Sequence, residues 1–294
     1  MKNKNLRVWA NAKVNLALHI VGEHPSGLHF LDSLVAFPAF GDELIFEKAE
    51  GLSLRVTGPF SNELLDVSRD STNLVLKAAQ LLMESNKGVA IELIKNLPLA
   101  SGVGGGSSDA AMTLQALSQL WKKQLPSLED MLKLGSDVPV CLSNSFKRMQ
   151  GVGERITLLP QPSEMWIVLA NPGVKVSTAK VFGFLKNKNN KPLESLDNLI
   201  DHESFFGYLS RQRNDLEVIT CSLFPEVKLL LDVISATPRC RLYRMSGSGS
   251  TCFGLYTEKA FADSAVDEIN KNFPSAWAVS AALFSVDSGN NKIS

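Results

Sequence analysis

The chain has 294 residues, 45% of them hydrophobic, which is enough for one large domain or two smaller ones with proper cores. Thirty basic residues balance thirty acidic ones, and no long block of one sign occurs. That disfavours a nucleic-acid groove or an anionic membrane surface and leaves small-molecule chemistry.

The four cysteines, Cys141, Cys221, Cys240 and Cys252, lack CxxC spacing, and the four histidines lack HExxH pairing, so reduced thiols and no structural zinc are expected. Near the N-terminus Lys13, Asn15 and His19 interrupt anything resembling a signal-peptide core, and no run reaches transmembrane length. A cytoplasmic protein with no membrane partner is expected, either monomer or homodimer.

In chain order, "AKVNLALHIVG" alternates, with Val14, Leu16, Leu18 and Ile20 on one face and Lys13, Asn15, Ala17 and His19 on the other, which predicts a strand. "DELIFEKA" and "LSLRVTG" predict further strands. "STNLVLKAAQLLMESN" has a Ser/Thr start and helical spacing, and "VAIELIKNLP" predicts another strand. A loop of small residues, "PLASGVGGGSS", then opens a helix in which Ala110, Leu114, Leu117 and Trp121 recur at three- and four-residue intervals. "LEDMLKLG" is a short helix stopped by Gly135, and the chain returns to strands through "GVGERITLLPQPSEMWIVLANPG".

A domain boundary near Pro160 divides the chain into residues 1–160 and 161–294. The second half holds a buried strand at Trp166–Ala170, a polar stretch "KNKNNKPLESLDN" expected to be a solvated loop, and a helix through "FPEVKLLLDVISA". "LYRMSGSGSTCFGLY" is a glycine-serine turn between two strands, and "TEKAFADSAVDEINKNF" is a last helix. Strands and helices mix without regular alternation, so the expected class is α+β with two domains.

Small residues between a strand and a helix N-terminus expose backbone N–H groups in a field that favours an anion, and phosphate is the natural guest. Two familiar phosphate loops fail on spacing. No lysine stands between Lys95 and Trp121 to complete GxxxxGK[ST], and the third glycine of GxGxxG would fall on Ser107 or Asp109.

"PLASGVGGGSSDAA" resembles the second signature of the GHMP small-molecule kinases, and its triple glycine is similar to the branch acting on 4-diphosphocytidyl-2-C-methyl-D-erythritol. "AKVNLALHIVGEHPSGLHFLDSL", "LGSDVP" and "MSGSGSTCFGL" resemble other family segments in the expected order, as do "STNLV" and "RNDLE". The resemblance spans nearly the whole chain. It implies a GHMP kinase fold with an active-site cleft between the domains, and phosphoryl transfer from ATP, with Mg²⁺, to the 2-hydroxyl of that small-molecule acceptor. Another GHMP kinase, acting on homoserine, mevalonate or a sugar, is the alternative, as is a nucleotide-binding relative without turnover.

The same resemblance implies roles for single residues. Lys13 would be the catalytic lysine, and Asp137 the aspartate that accepts the proton of the attacking hydroxyl. The ATP phosphates would lie on the loop formed by Pro98, Leu99, Ala100, Ser101, Gly102, Val103, Gly104, Gly105, Gly106, Ser107 and Ser108, with Asn73 near the base. Ser108 is the candidate magnesium ligand, and Asp109 is expected to face away from phosphate, which its charge would repel.

Asn15, Leu28, His29 and Phe182 would form the acceptor site, with His29 on the cytosine edge and Phe182 stacked on the ring. Leu28 departs from the family tyrosine, and Glu23 or His24 and Ser26 replace the usual arginine and aspartate. A leucine lacks the π surface, so cytosine binding would weaken by roughly 1–3 kcal/mol unless Phe30 or another ring compensates. Local sequence alone also allows a plain strand face at Lys13, helix caps at Asn73, Ser107 and Asp137, and core packing at Phe182.

Overall fold

The computed structural model describes residues 5–64, 72–84, 87–196 and 201–285. Ser71, Ser85 and Asn86, at the ends of one predicted helix, and Asp197 and Asn198, at the end of the predicted polar loop, lie outside the described residues.

The first half runs β1 (Leu6–Asn11), β2 (Val14–Glu23), β3 (His29–Ala36), β4 (Gly41–Ala49), β5 (Leu52–Thr57), α1 (Leu74–Leu82), β6 (Gly88–Ile94), α2 (Gly105–Trp121), α3 (Leu128–Leu134), β7 (Lys147–Gly151) and β8 (Arg155–Leu158). The second runs β9 (Met165–Asn171), α4 (Thr178–Gly183), α5 (His202–Arg211), α6 (Glu217–Leu223), α7 (Pro225–Ala236), β10 (Leu242–Met245), β11 (Cys252–Tyr256), α8 (Lys259–Asn272) and β12 (Trp277–Leu283). This is an α+β architecture whose described residues form three four-stranded sheets, ordered β1-β4-β6-β5, β2-β3-β7-β8 and β10-β11-β9-β12. Among the described residues the strand pairs are antiparallel except β5 with β6, which are parallel and joined through α1.

Three apolar clusters hold these layers. One packs α1 and α2 on the first sheet through Val75, Ala78, Leu114 and Leu117 against Leu44, Phe46 and Ile91. Another packs α7 and α8 on the third sheet through Leu230, Ile234, Ala265 and Ile269. The middle cluster joins Val14, Leu16 and Leu34 of the first half to Ile167, Leu169 and Phe253 of the second. The halves therefore share a core, and the start of β2, directly after Lys13, lies in it.

The alternative of a plain solvated strand face at Lys13 does not hold: Lys13, Asn15, Ala17 and His19 are all buried. Register shifts between Asn15 and Ala17 and between Ile20 and Gly22 break the alternation, and the free edge of β2 is covered by Arg213–Asp215. Leu18 N–H donates to Arg213 O at 2.9 Å, and Asp215 N–H donates to Leu18 O at 2.9 Å. The polar stretch from Lys186 is the exposed loop expected, with Lys186, Asn187, Asn189, Lys191 and Pro192 all exposed, but it is tied down along one side. Its Asn190 and Leu193 N–H groups donate to Ile20 O at 3.0 Å and Asp32 Oδ2 at 3.0 Å, so it lies as a strap across β2 and β3.

Lys147, at the start of β7, is buried with no carboxylate partner among the described residues. Its ammonium donates to Ser143 O at 2.5 Å and to Val140 O, and lies 4.8 Å from the centre of the Phe37 ring. It thereby closes the turn Pro139–Leu142 that follows Asp137. Burial lowers its pKa to about 8. Between pH 8 and the ordinary lysine range the unfolded chain binds a proton that the folded one does not, so stability should rise with pH across that window. Urea unfolding of wild type and Lys147→Met at several pH values checks this: the rise should flatten in the variant.

Candidate active site

A cavity of about 1090 Å³ is lined by residues of β2, β3, β6 and β7, the glycine loop and the second glycine turn, and its wall includes most of the residues singled out above. The glycine loop forms one side. The α2 helix begins at Gly105 rather than at the serines, and Gly104 precedes it in a left-handed conformation (φ 61°) with no side-chain cap bond on the first turn. The N–H groups of that turn are therefore free of a competing cap and face the cavity end of a 17-residue helix.

The glycines differ in what they permit. A Cβ on Gly104 would stand 3.0 Å from Lys13 Cβ and 3.3 Å from Lys13 Cε, so its absence lets the lysine stem lie against the loop. A Cβ on Gly102 (φ +79°) would meet Ser246 O at 2.4 Å, because the second glycine turn docks there. That docking is made by Ser246 Oγ, which donates to Gly102 O at 2.9 Å, and by Thr251 N–H, which donates to Ser101 O at 2.9 Å. Asn214 holds the same turn, its Nδ2 donating to Met245 O and Gly247 O at 2.8 Å each. "RNDLE" and "MSGSGS" thus meet in space.

Lys13 and Asp137 come together from distant parts of the chain. Lys13 Nζ donates to Asp137 Oδ2 at 2.7 Å, with the lysine side chain 5% exposed and the aspartate 28%. The lysine is a buried cation, while the aspartate keeps an accessible edge on the cavity. Asn15 lies beside them, its Nδ2 donating to Ser33 Oγ at 2.8 Å and its N–H to Ser246 Oγ at 3.1 Å. Its Oδ1 is buried without a partner among the described residues, which leaves an acceptor for a ligand.

Two members of the loop set lie off the cavity wall. Val103 is fully buried in the shared core and is not on the cavity wall; only its carbonyl acts locally, accepting from Lys13 N–H at 2.8 Å. Ser108 is also buried off the wall, its hydroxyl donating to Asn11 O at 2.6 Å, so it is badly placed for phosphate or magnesium. The serine on the wall is Ser107. Asn73 lines the cavity and caps α1, its Oδ1 accepting from Val75 N–H at 2.9 Å.

Asp109 does not simply face away. Its carboxylate turns under the loop to Lys95 Nζ at 2.9 Å, and the same ammonium binds Asp42. Asp42 Oδ1 in turn accepts from Asn96 and Leu97 N–H at 2.6 Å and 2.9 Å. Burial, with Asp42 adding to it and Lys95 opposing, pushes Asp109 up to about 8. Burial would lower Lys95, but the two carboxylates outweigh it and raise its pKa. Sequence reading missed this group because Lys95 looks like an ordinary charge at a strand end.

At the other end of the cavity stand Leu28, His29 and Phe182. The His29 and Phe182 rings lie 4.7 Å apart at 36°, and His29 Nε2 is buried without a partner among the described residues. Burial first, then the charge of Lys188, lowers the His29 pKa, which favours a neutral imidazole at pH 7. Leu28 is 56% exposed at the rim. Phe30 does not replace the missing tyrosine: its ring packs edge-on against His24 at 5.5 Å. His24 and Ser26 pair with each other at 2.7 Å in the turn where the family's arginine and aspartate were expected.

Comparison with known proteins bears on this geometry. The pattern described as GHMP kinases N terminal domain matches residues 73–145, and that described as GHMP kinases C terminal matches residues 194–275. A protein of Cereibacter sphaeroides (strain ATCC 17029 / ATH 2.4.9) named 4-diphosphocytidyl-2-C-methyl-D-erythritol kinase is 47% identical over 277 residues, covering 94% of this chain and 98% of that one. The chain belongs to the GHMP kinases. A protein of the same name from Paramagnetospirillum magneticum is 44% identical over 288 residues, 95% of this chain and 98% of its own. The crystal structure of a 4-(cytidine 5'-diphospho)-2C-methyl-D-erythritol kinase superposes with a TM-score of 0.77 at 31% identity, covering 95% of this chain and 99% of that one. A homoserine kinase from Cytophaga hutchinsonii, at 18% identity and a TM-score of 0.68, shares the fold. This GHMP kinase is therefore an ATP-dependent small-molecule kinase.

The glycines give a test that separates folding from nucleotide binding. Gly102→Ala should lose about 2 kcal/mol or more of stability by forcing the turns apart. A Cβ on Gly106 meets only Leu74 Cδ1, at 3.6 Å. Gly106→Ala should therefore keep or slightly raise the melting temperature, while its methyl on the cavity wall raises the KM for ATP about tenfold. Thermal melts and ATP titrations of both variants check this.

Proposed function

We propose that the chain transfers the γ-phosphoryl group of ATP to the 2-hydroxyl of 4-diphosphocytidyl-2-C-methyl-D-erythritol, giving ADP and the 2-phosphate for isoprenoid precursor biosynthesis in the cytoplasm. The observation that carries the reading is the Lys13–Asp137 pair at 2.7 Å, set between a free helix N-terminus and a His-Phe pocket on one cavity wall.

The two ends of the cavity suit the two substrates. Asn73 with the apolar Leu64, Leu74 and Leu93 offers a base site next to the glycine loop. The Phe182 ring and the unpartnered His29 Nε2 offer a face and a hydrogen-bonding edge to a pyrimidine. Relatives named for the cytidine-bearing acceptor, similar over nearly the whole chain, support that assignment.

Asp137 accepts the proton of the acceptor hydroxyl as its oxygen bonds to the γ-phosphorus, and the bond to the ADP oxygen breaks. Lys13 fixes the carboxylate and sets positive charge where the transferring group becomes more exposed to the acceptor. Asn15 Oδ1 is free to take a second acceptor hydroxyl. Mg²⁺ keeps several waters and takes only one or two protein oxygens beside nucleotide phosphates, so the donor set here fits it without a carboxylate cluster. Ser107, on the first turn of α2, would hold it.

Purified protein with ATP and Mg²⁺ should release ADP only when 4-diphosphocytidyl-2-C-methyl-D-erythritol is added. Release with homoserine, mevalonate or a sugar instead would mean that Leu28 marks a changed acceptor, and nucleotide binding with no release would favour the nucleotide-binding relative. Asp137→Asn should lower kcat by about 10²–10⁴-fold with the KM for ATP little changed. Near-wild-type turnover in that variant would reject Asp137 as the base.

A further inference from the structure

We infer that Lys188 binds the diphosphate of the acceptor and that the asparagine-rich strap from Asn187 to Leu193 positions it to do so, an inference that rests on the acceptor proposed above. Three lysines reach the cavity wall. Two are already paired with carboxylates: Lys13 with the part-exposed Asp137, and Lys95 with the buried Asp42 and Asp109. Lys188 stands at the other end of the cavity, beside His29, with Glu23 as its one ion-pair partner among the described residues at 2.8 Å; both side chains are more than a third exposed. A pair that exposed adds little to stability and exchanges readily for a better anion.

The backbone on either side of Lys188 is tied by hydrogen bonds, although it belongs to an exposed loop. Asn190 Nδ2 donates to Ile20 O at 3.1 Å and Asp215 Oδ2 at 3.0 Å. Asn187 Nδ2 donates to Asn190 Oδ1 at 2.6 Å, and Asn189 N–H donates to Asn187 Oδ1 at 3.1 Å. His19 Nδ1 lies 3.0 Å from Lys191 O, and Asp32, itself held by Arg148 Nε and Nη2, accepts from Leu193 N–H at 3.0 Å. A lysine presented this way is a phosphate-binding point charge with a settled base.

The acceptor's chemistry needs one there. Its pyrimidine sits at His29 and Phe182, its reacting hydroxyl at Asp137, and the diphosphate spans the interval. Among the cavity's lysines, Lys188 is the one placed at the pyrimidine end and free to exchange its partner. Glu23 is then the resting counter-ion, displaced on binding and left as a repelling neighbour.

The test compares CDP with cytidine as ligands of the acceptor site, measured by calorimetry on protein saturated with a non-hydrolysable ATP analogue. Wild type should bind CDP more tightly than cytidine. Lys188→Met should weaken CDP about tenfold to a hundredfold and leave cytidine unchanged, with the same factor appearing in the KM of the full acceptor but not in the KM for ATP. Glu23→Gln should tighten CDP. Equal affinities for CDP in wild type and Lys188→Met, or an equal loss for cytidine, would overturn the inference while leaving the acceptor assignment intact. Failure of wild type to bind either ligand would overturn both.

Discussion

A lysine ammonium carried into a protein core needs polar partners, and in this chain the pairing of Lys13 with a carboxylate organises the site. Lys13 is buried at the entry to β2, whose Val14 and Leu16 lie in the core that the two halves share. Its stem is pressed against the α2 loop at a position where only glycine leaves room. Its charge is met by Asp137, delivered by the turn after α3. Loop, strand and turn are thereby set relative to one another by one ion pair. Because breaking a buried pair leaves an unpaired charge, the arrangement is strongly specified even if the pair itself adds little net stability.

A second charged group lies under the same loop. Lys95, Asp42 and Asp109 fix the start of α2 from below, while Ser246 and Thr251 clamp it from the second glycine turn. The loop is thus rigid before any nucleotide arrives, which suits a reaction that depends on positioning and preset electrostatics more than on covalent chemistry. The acceptor end is built differently. It uses rings, a neutral histidine and an exposed ion pair on a hydrogen-bonded strap, features that can adjust to a bulky, anionic guest.

Much of this was legible in the sequence because the motifs are local. The glycine loop announces a strand-to-helix phosphate site through its own small residues, and the resemblance across the chain links Lys13 with Asp137, which no local spacing could do. What was not legible depends on neighbours distant in sequence. Whether Ser107 or Ser108 faces the cavity is fixed by the start of α2 at Gly105, two residues before the serines, which turns Ser108 inward to Asn11. Val103 carries the loop's spacing but packs in the core. The loop from Lys186 is legible as exposed, but polar composition says nothing of its hydrogen bonds to strands more than 160 residues away. Alternation reveals β2 as a strand but not what covers it. The short helices α4 to α6 and strands such as β3 and β12 carry no strong local pattern and take shape through packing.

In the proposed reaction the phosphoryl group goes to a single hydroxyl, the one that would lie against Asp137. Phosphorus NMR of the product tests it most directly. The acceptor's 2-carbon is tertiary and bears no hydrogen, so the account predicts a single new phosphomonoester resonance without coupling to a proton on the ester carbon, beside unchanged diphosphate signals. A new resonance split by such a proton would place the phosphate on a primary or secondary hydroxyl and contradict the account.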